Sequence, residues 1–181
     1  MVAVLDACVL APMPLCDTLL RWAEEVEFFR PRWSVETLEE VGRTLAKFGR
    51  SKSQIERRLH FMQEAFPESS VQISPQQIQA VPEIPDCGDK HVIAAAIQAR
   101  ASLIVTFNLR HFPASALQPR GIEVCSPDTF LVRQYFLAPE RMLKVLDIQA
   151  RCIEQRRVDI LERLRRGLPH FTALVEEQIQ C

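Results

Sequence analysis

An aspartate closing an apolar run, an aspartate pair opening a helix and an asparagine closing a second apolar run are the residues best suited to chemistry. Asp6 follows VAVL, Asp86 and Asp89 stand in PDCGDKH, and Asn108 follows the run from Ala101 to Thr106. At the carboxyl edge of a parallel sheet these positions converge although they are far apart in sequence. Carboxylates gathered there repel one another, and a bound divalent cation is the usual remedy. Hard oxygen donors select Mg²⁺ or Mn²⁺ rather than zinc. The segment after Ser34 adds Glu36, Glu39 and Glu40. Glu36 and Glu40 are four apart and share a helix face, while Glu39 points elsewhere. Position alone does not choose between Glu36 and Glu40. Each acid also has a plainer role open to it: a turn cap for Asp6 and Asp86, a helix N-cap for Asp89, and a tight turn for Asn108.

The elements that must position these residues follow from hydrophobic periodicity. Residues 2–5 form a short apolar run of the kind buried on both faces of a parallel sheet. A helical pattern then runs through Leu15, Leu19, Trp22, Ala23, Val26 and Phe29 and is closed by Pro31. Ser34 caps a helix with Leu38, Val41, Leu45 and Phe48 on its buried stripe, ended by Gly49. A further helix over about 53–66 buries Ile55, Leu59, Met62 and Phe66. Short strands are expected over 71–73, 101–106 and 122–124, with an alanine-rich helix over 91–100 and a helix opened by Ser126, Pro127 and Asp128. Strands alternating with helices predict an α/β fold, a three-layer α/β/α sandwich with a mostly parallel central sheet. Residues 140–166 read as helical and arginine-rich, and Gly167 and Pro169 precede a last short helix. The expected organisation is therefore one domain over 1–138 and a helical C-terminal extension over 139–181.

Composition narrows the functional classes. With 22 Lys plus Arg against 23 Asp plus Glu, the formal charge of -1 gives no overall pull toward a polyanion, so any such site must be local. Six cysteines without a Cys-x-x-Cys pair, and only four histidines, argue against a finger-like zinc site and fit a reducing, cytoplasmic setting. Asp6 and Asp17 interrupt any signal-peptide core, and no stretch is long enough to span a bilayer. No GxGxxG or Walker loop is present, which disfavours nucleotide-cofactor chemistry.

In order along the chain, VLDACVL, PLCDTLLRWAE, RPRWSVETLEEV, PDCGDKHVIAAAI, IVTFNLRHFP and GIEVCSPDTFL together resemble a PIN domain. The likeness is greatest to the bacterial branch related to the toxin ribonucleases of toxin–antitoxin pairs, and it covers residues 2 to about 133. The resemblance implies an α/β/α sandwich and a metal-dependent nuclease whose acidic centre cuts RNA. It places the family's first aspartate on Asp6, its helix glutamate on Glu40, its third carboxylate on Asp89 and its last polar position on Asn108. Asp86 stands as an additional neighbour. Two positions depart from the pattern: Cys8 stands where relatives often carry Asn, and His111 where they carry Asp.

The chemistry so implied is phosphodiester hydrolysis supported by Mg²⁺ or Mn²⁺. Asp6, Glu40 and Asp89 are expected to hold the ion, with Glu36 as the competing glutamate. Asn108 cannot act as a base, but its carbonyl oxygen can hold a water. Thr106 is placed to hydrogen-bond Asp6 from the adjacent strand. His111 is a candidate for contact with phosphate or solvent, or for a base near neutral pH. His91, early in the helix beside Asp89, is a candidate for placing RNA or has no role. Arg43, Lys47, Arg50, Lys52, Arg57 and Arg58 form a local basic stretch able to grip a phosphate backbone, extended by Arg110 and Arg120. The aromatic residues Trp22, Phe28, Phe29, Trp33, Phe48 and Phe61 are expected mostly in the core, with some left for a homodimer face or an antitoxin groove. The expected partners are thus RNA, a cognate antitoxin protein and a second copy of the chain, with no membrane. The rival to a ribonuclease toxin is a PIN fold retained as a weak or inactive module for RNA binding or assembly. A phosphotransferring enzyme with an aspartyl nucleophile fits less well, because no second aspartate follows two residues after Asp6.

Overall fold

The computed structural model describes residues 1–25 and 28–180, so Val26, expected on the first long helix, lies outside the described residues. Strand β1 spans Val2–Leu5, and the chain turns at Asp6 into the short helix α1, Ala7–Leu10, and then α2, Leu15–Glu25. Strand β2, Arg30–Ser34, leads into α3, Val35–Lys47, and α4, Lys52–Ala65. Strand β3 is only Ser70–Val71 and is followed by α5, Pro75–Gln79, and α6, Lys90–Gln98. Strand β4, Leu103–Val105, α7, Ala114–Leu117, and β5, Glu123–Cys125, complete the sheet. Four more helices follow: α8, Pro127–Leu137; α9, Pro139–Arg151; α10, Arg157–Arg165; and α11, Pro169–Gln180.

All strand pairs are parallel, in the order β3-β2-β1-β4-β5. The fold is the α/β class expected, a PIN-like α/β/α sandwich. The order reverses direction at the β1–β4 pair, where Leu5 stands opposite Val105. The residues just beyond that pair are Asp6 and Thr106. A crevice outside the carboxyl ends of strands at such a reversal is where open α/β sheets place their ligands.

Strand β2 differs from the expectation that Pro31 simply closes a helix. Arg30 donates its N–H to Met1 O and Trp33 donates to Ser69 O, so alternate residues face β1 and β3. Pro31 falls on the β3 side, yet β3 pairs only with Trp33 and Ser34. Its missing N–H therefore leaves no ladder bond unmade, and an interior strand tolerates a proline.

By its internal packing the chain forms two compact units: Met1–Ala11 with Phe29–Cys125, and Pro12–Phe28 with Ser126–Cys181. In the first, Val4 and Ile104 of the sheet pack with Val92, Ile93 and Ala96 of α6, and with Phe112, Leu117 and Ile122. The alanine-rich face of α6 lets helix and sheet approach closely, as expected. Helix α3 is capped by Ser34, whose Oγ accepts the Thr37 N–H. It ends at Lys47 rather than continuing through Phe48, which is 61% exposed. Gly49 at φ +76° makes the left-handed exit. On α4 only Met62 is fully buried, while Ile55 and Leu59 are half-buried and Phe66 lies past the helix end. The early aromatic residues divide accordingly: Trp22, Phe29 and Trp33 are core, and Phe28, Phe48 and Phe61 are exposed.

In the second unit α2 packs on α9, α8 on α9 and α11, and α10 on both α9 and α11. This grouping cuts the chain elsewhere than the boundary expected at 138/139. The helical run expected over 140–166 is broken, because Glu154 takes a left-handed φ of 54° and Gln155 N–H returns to Ala150 O. No Gly or Pro announces that break. Two buried polar pairs cross between helices: Trp22 Nε1 donates to Gln134 Oε1, and Thr18 Oγ1 to Gln149 Oε1, whereas the buried Tyr135 hydroxyl has no hydrogen-bond partner among the described residues. Asp128 of α8 caps α11, accepting from Phe171 N–H at 2.8 Å and from both His170 N–H and Nδ1. Asp128→Ala should therefore lower stability by about 1–2 kcal/mol, read as a shifted urea midpoint. An unchanged midpoint would show that the cap contributes nothing. Among the described residues, no helix is long and apolar enough to cross a membrane.

Candidate active site

Asp6 is 2% exposed and sits at the end of β1, its backbone N–H bonded to Val105 O. Thr106, at the end of the neighbouring strand, donates from Oγ1 to Asp6 Oδ2 at 2.6 Å, the bond that strand adjacency suggests. The same Oγ1 accepts the Asn108 backbone N–H at 2.9 Å. Cys8 donates its thiol to Asp6 Oδ2 at 3.1 Å, and its sulfur accepts the Phe107 N–H. One oxygen of Asp6 is thus held by two donors from two segments, and the carboxylate is fixed in orientation. Burial, reinforced by the Asp6 charge, pushes the Cys8 thiol up to about 12. It stays neutral and serves as a donor rather than a nucleophile.

Asp86 and Asp89 flank the tight turn before α6. Asp86 accepts the Gly88 N–H, the Asx-turn role considered for it. Asp89 does not cap α6 with its side chain. Instead Asp89 Oδ2 lies 2.7 Å from His111 Nδ1, and Asp86 Oδ2 lies 3.8 Å from the same nitrogen. Burial pushes the Asp89 carboxyl above the ordinary carboxylate value, with the negative charges of Asp6 and Asp86 adding to it against the pull of the His111 hydrogen bond. Asp6 and Asp89 are therefore close enough to repel.

The folded state consequently holds the Asp89 proton to higher pH than the unfolded chain does. In metal-free protein the resulting stability is fully present below the ordinary carboxylate value and is lost as pH rises through the raised folded value. Urea denaturation of chelator-treated protein, from about pH 4 to neutrality, should show a decline that Asp89→Asn flattens. Equal declines in both proteins would assign the effect to another group.

Helix α3 packs against α1 and α6. Glu40 Oε1 lies 3.4 Å from His91 Nε2, and His91 Nδ1 lies 3.2 Å from Ser34 Oγ. Buried His91 thus ties the helix that follows Asp89 to the helix that carries Glu40. Glu36 keeps Oε2 buried with no hydrogen-bond partner among the described residues. Glu39 is exposed and pairs only loosely with Arg43 at 3.8 Å.

The basic stretch is split by the structure. Arg43, Lys47, Arg50, Lys52 and Arg57 are exposed on α3, α4 and their connection, as is Arg110 on the turn after Asn108. Arg58 instead turns inward and donates to Leu10 O at 2.6 Å and Ala11 O at 3.0 Å. Arg120 donates to Ala116 O.

A family model described as "PIN domain" matches residues 2–110, more than half of the chain. The chain belongs to the PIN domain family. A Mycobacterium tuberculosis protein named "Putative ribonuclease VapC50" is 48% identical over 58 residues, which is 32% of this chain and 34% of that protein. The match thus spans about a third of that relative's length. No solved structure matches the chain with significance.

PIN nucleases generally use divalent metals, and the donor set of this PIN domain suits one. One ligand atom each from Asp86, Asp89 and His111 lies within 4.8 Å of the others. The negative charges acting on Asp89 are what a cation would compensate. What sequence reasoning missed is the position of His111 among the acids. It reads as the loss of a carboxylate, and the only local hint is its place three residues after Asn108 in a turn anchored by buried Phe112.

Proposed function

We propose that this PIN domain is a divalent-metal-dependent endoribonuclease, the toxin of a toxin–antitoxin pair acting in the cytoplasm. The observation that carries this reading is the buried Asp6 carboxylate, fixed by Thr106 and Cys8 at the point where the sheet order reverses. The family membership and the VapC50 likeness support it.

In this reading Asp6 and Asp89 hold Mg²⁺ or Mn²⁺, with Asp86 beside them, and Glu40 or Glu36 completes the acidic set. When bound, the ion supplies positive charge at the nonbridging phosphate oxygens and a more acidic water. Thr106 and Cys8 keep Asp6 from rotating, and His91 holds Glu40 against α6. Asn108 offers an uncharged amide that can orient a water but not take its proton. Arg43, Lys47, Arg50, Lys52, Arg57 and Arg110 are positioned on exposed surface to meet an RNA backbone, with contacts that weaken with salt. Exposed Phe48 and Phe61, near the basic stretch in sequence, supply apolar surface for an antitoxin or a second copy.

The test is cleavage of RNA by purified, partner-free protein with and without Mn²⁺ or Mg²⁺, beside Asp6→Asn and Asp89→Asn. Metal-dependent cutting lost in both variants supports the nuclease. Tight RNA binding with no cutting under any ion supports the second reading, a noncatalytic module, which the replacement of an acid by His111 favours.

A further inference from the structure

We infer that His111 is a metal ligand, and that with Asp86 and Asp89 it makes a mixed nitrogen and oxygen site that prefers Mn²⁺ to Mg²⁺. This inference rests on the reading of the acidic edge as a nuclease centre, and it concerns which ion that centre takes.

His111 belongs to the turn Leu109–His111 that follows β4 and Asn108, and Asp86 and Asp89 belong to the turn before α6. Two separate segments therefore meet at one point. The imidazole is 18% exposed and the Asp89 carboxylate 13%, while the Asp86 carboxylate, 51% exposed, stands at the solvent side of the group. Nδ1 faces Asp89 Oδ2 at 2.7 Å and Asp86 Oδ2 at 3.8 Å, so a ring nitrogen and two carboxylate oxygens border the same small volume, and an entering ion would displace the proton that Nδ1 shares with Asp89. The half-buried ring is held on the chain just before Phe112, itself 2% exposed, so the approach is fixed by the fold.

Mg²⁺ requires near-ideal octahedral oxygen coordination and gives up its waters reluctantly, so a site with a nitrogen donor is a poor match for it. Imidazole suits later first-row ions best, and Mn²⁺ stands at the weak end of that series with carboxylate and water as its usual ligands. Unlike Mg²⁺ it belongs to the series, and one nitrogen among oxygen donors favours it over Mg²⁺. A carboxylate at position 111 would give an all-oxygen site. The histidine does not merely remove a ligand; it exchanges a hard donor for a softer one. In the metal-free protein the same nitrogen is occupied by Asp89, and an ion entering the site takes over that contact from a preformed geometry.

The experiment uses the full chain, stripped with chelator and titrated with Mn²⁺ and Mg²⁺ by calorimetry, together with pulsed electron paramagnetic resonance of bound Mn²⁺. The wild type should bind Mn²⁺ at least about tenfold more tightly than Mg²⁺ and show ¹⁴N coupling to the ion. His111→Asp should abolish the nitrogen coupling and narrow the Mn²⁺ to Mg²⁺ affinity ratio by about tenfold, and His111→Ala should abolish the coupling without restoring Mg²⁺ binding. Bound Mn²⁺ with no ¹⁴N coupling, or a ratio unchanged in His111→Asp, overturns the assignment of His111 while leaving the nuclease reading intact. Failure to bind either ion, with no metal-supported cutting of RNA, overturns both.

Discussion

Asp6→Asn is expected to reduce metal-supported RNA cleavage by at least about 10³-fold. The variant keeps the shape of the side chain and one oxygen to accept from Thr106 and Cys8, so the orientation seen at the end of β1 survives. What it removes is a full negative charge from a buried position where an ion would be held. It also relieves the repulsion felt by Asp89, so the melting temperature should stay level or rise. Loss of activity with retained or increased stability separates a chemical role from a structural one. The measurement is single-turnover cleavage of labelled RNA at saturating Mn²⁺, paired with thermal unfolding. Cleavage retained within about tenfold of the wild type would remove Asp6 from the reaction.

The second large effect is on folding. Trp33 is wholly buried in β2, with its ring edge-on to Phe66 at 6.1 Å. Trp33→Ala should cost roughly 3–5 kcal/mol, since the sheet and the helices around it collapse only partly into the space left. For a chain of this length that is on the order of 10 °C in melting temperature. The indole Nε1 has no hydrogen-bond partner among the described residues, so part of what the tryptophan gains by burial is offset by a dry donor. Trp33→Phe removes that donor together with the second ring and should therefore cost far less than alanine. If both variants lost the same amount, filling the space with one ring would be worth nothing and the cavity argument would fail.

Trp33 also marks the limit of what was legible in the sequence. Strands β1 and β4 are continuous apolar runs, buried on both faces, and the aspartate and threonine that end them stand out by contrast. Strand β2 hides because Arg30, Pro31 and Arg32 interrupt it, and only the shortness of β3 makes a proline acceptable there. Capping boundaries set by Ser34 and Ser126 were readable, because a side chain bonding a backbone N–H three residues on is a local event. Phe48 was not, since it sits one residue past the helix whose stripe it continues. The same distinction governs the site. Asp6 and Asp89 could be picked out by their places at strand and helix ends. The Thr106 bond to Asp6 was legible too, from strand adjacency, whereas His111 beside Asp89 across 22 positions and His91 beside Glu40 across 51 depend on how separate segments pack and leave no local pattern.

The route of the chain between its two units limits how the protein can be dissected. The backbone quits the sheet unit after Ala11, returns at Phe29 and departs again after Cys125, so helix α2 is stitched between two strands of the other unit. No single stop codon or proteolytic nick isolates either half: ending the chain before α9 strips α2 of a helix it packs against, yet leaves α2 attached. A permuted gene or an internal replacement of residues 12–28, rather than a shortened reading frame, is what would deliver the sheet unit alone.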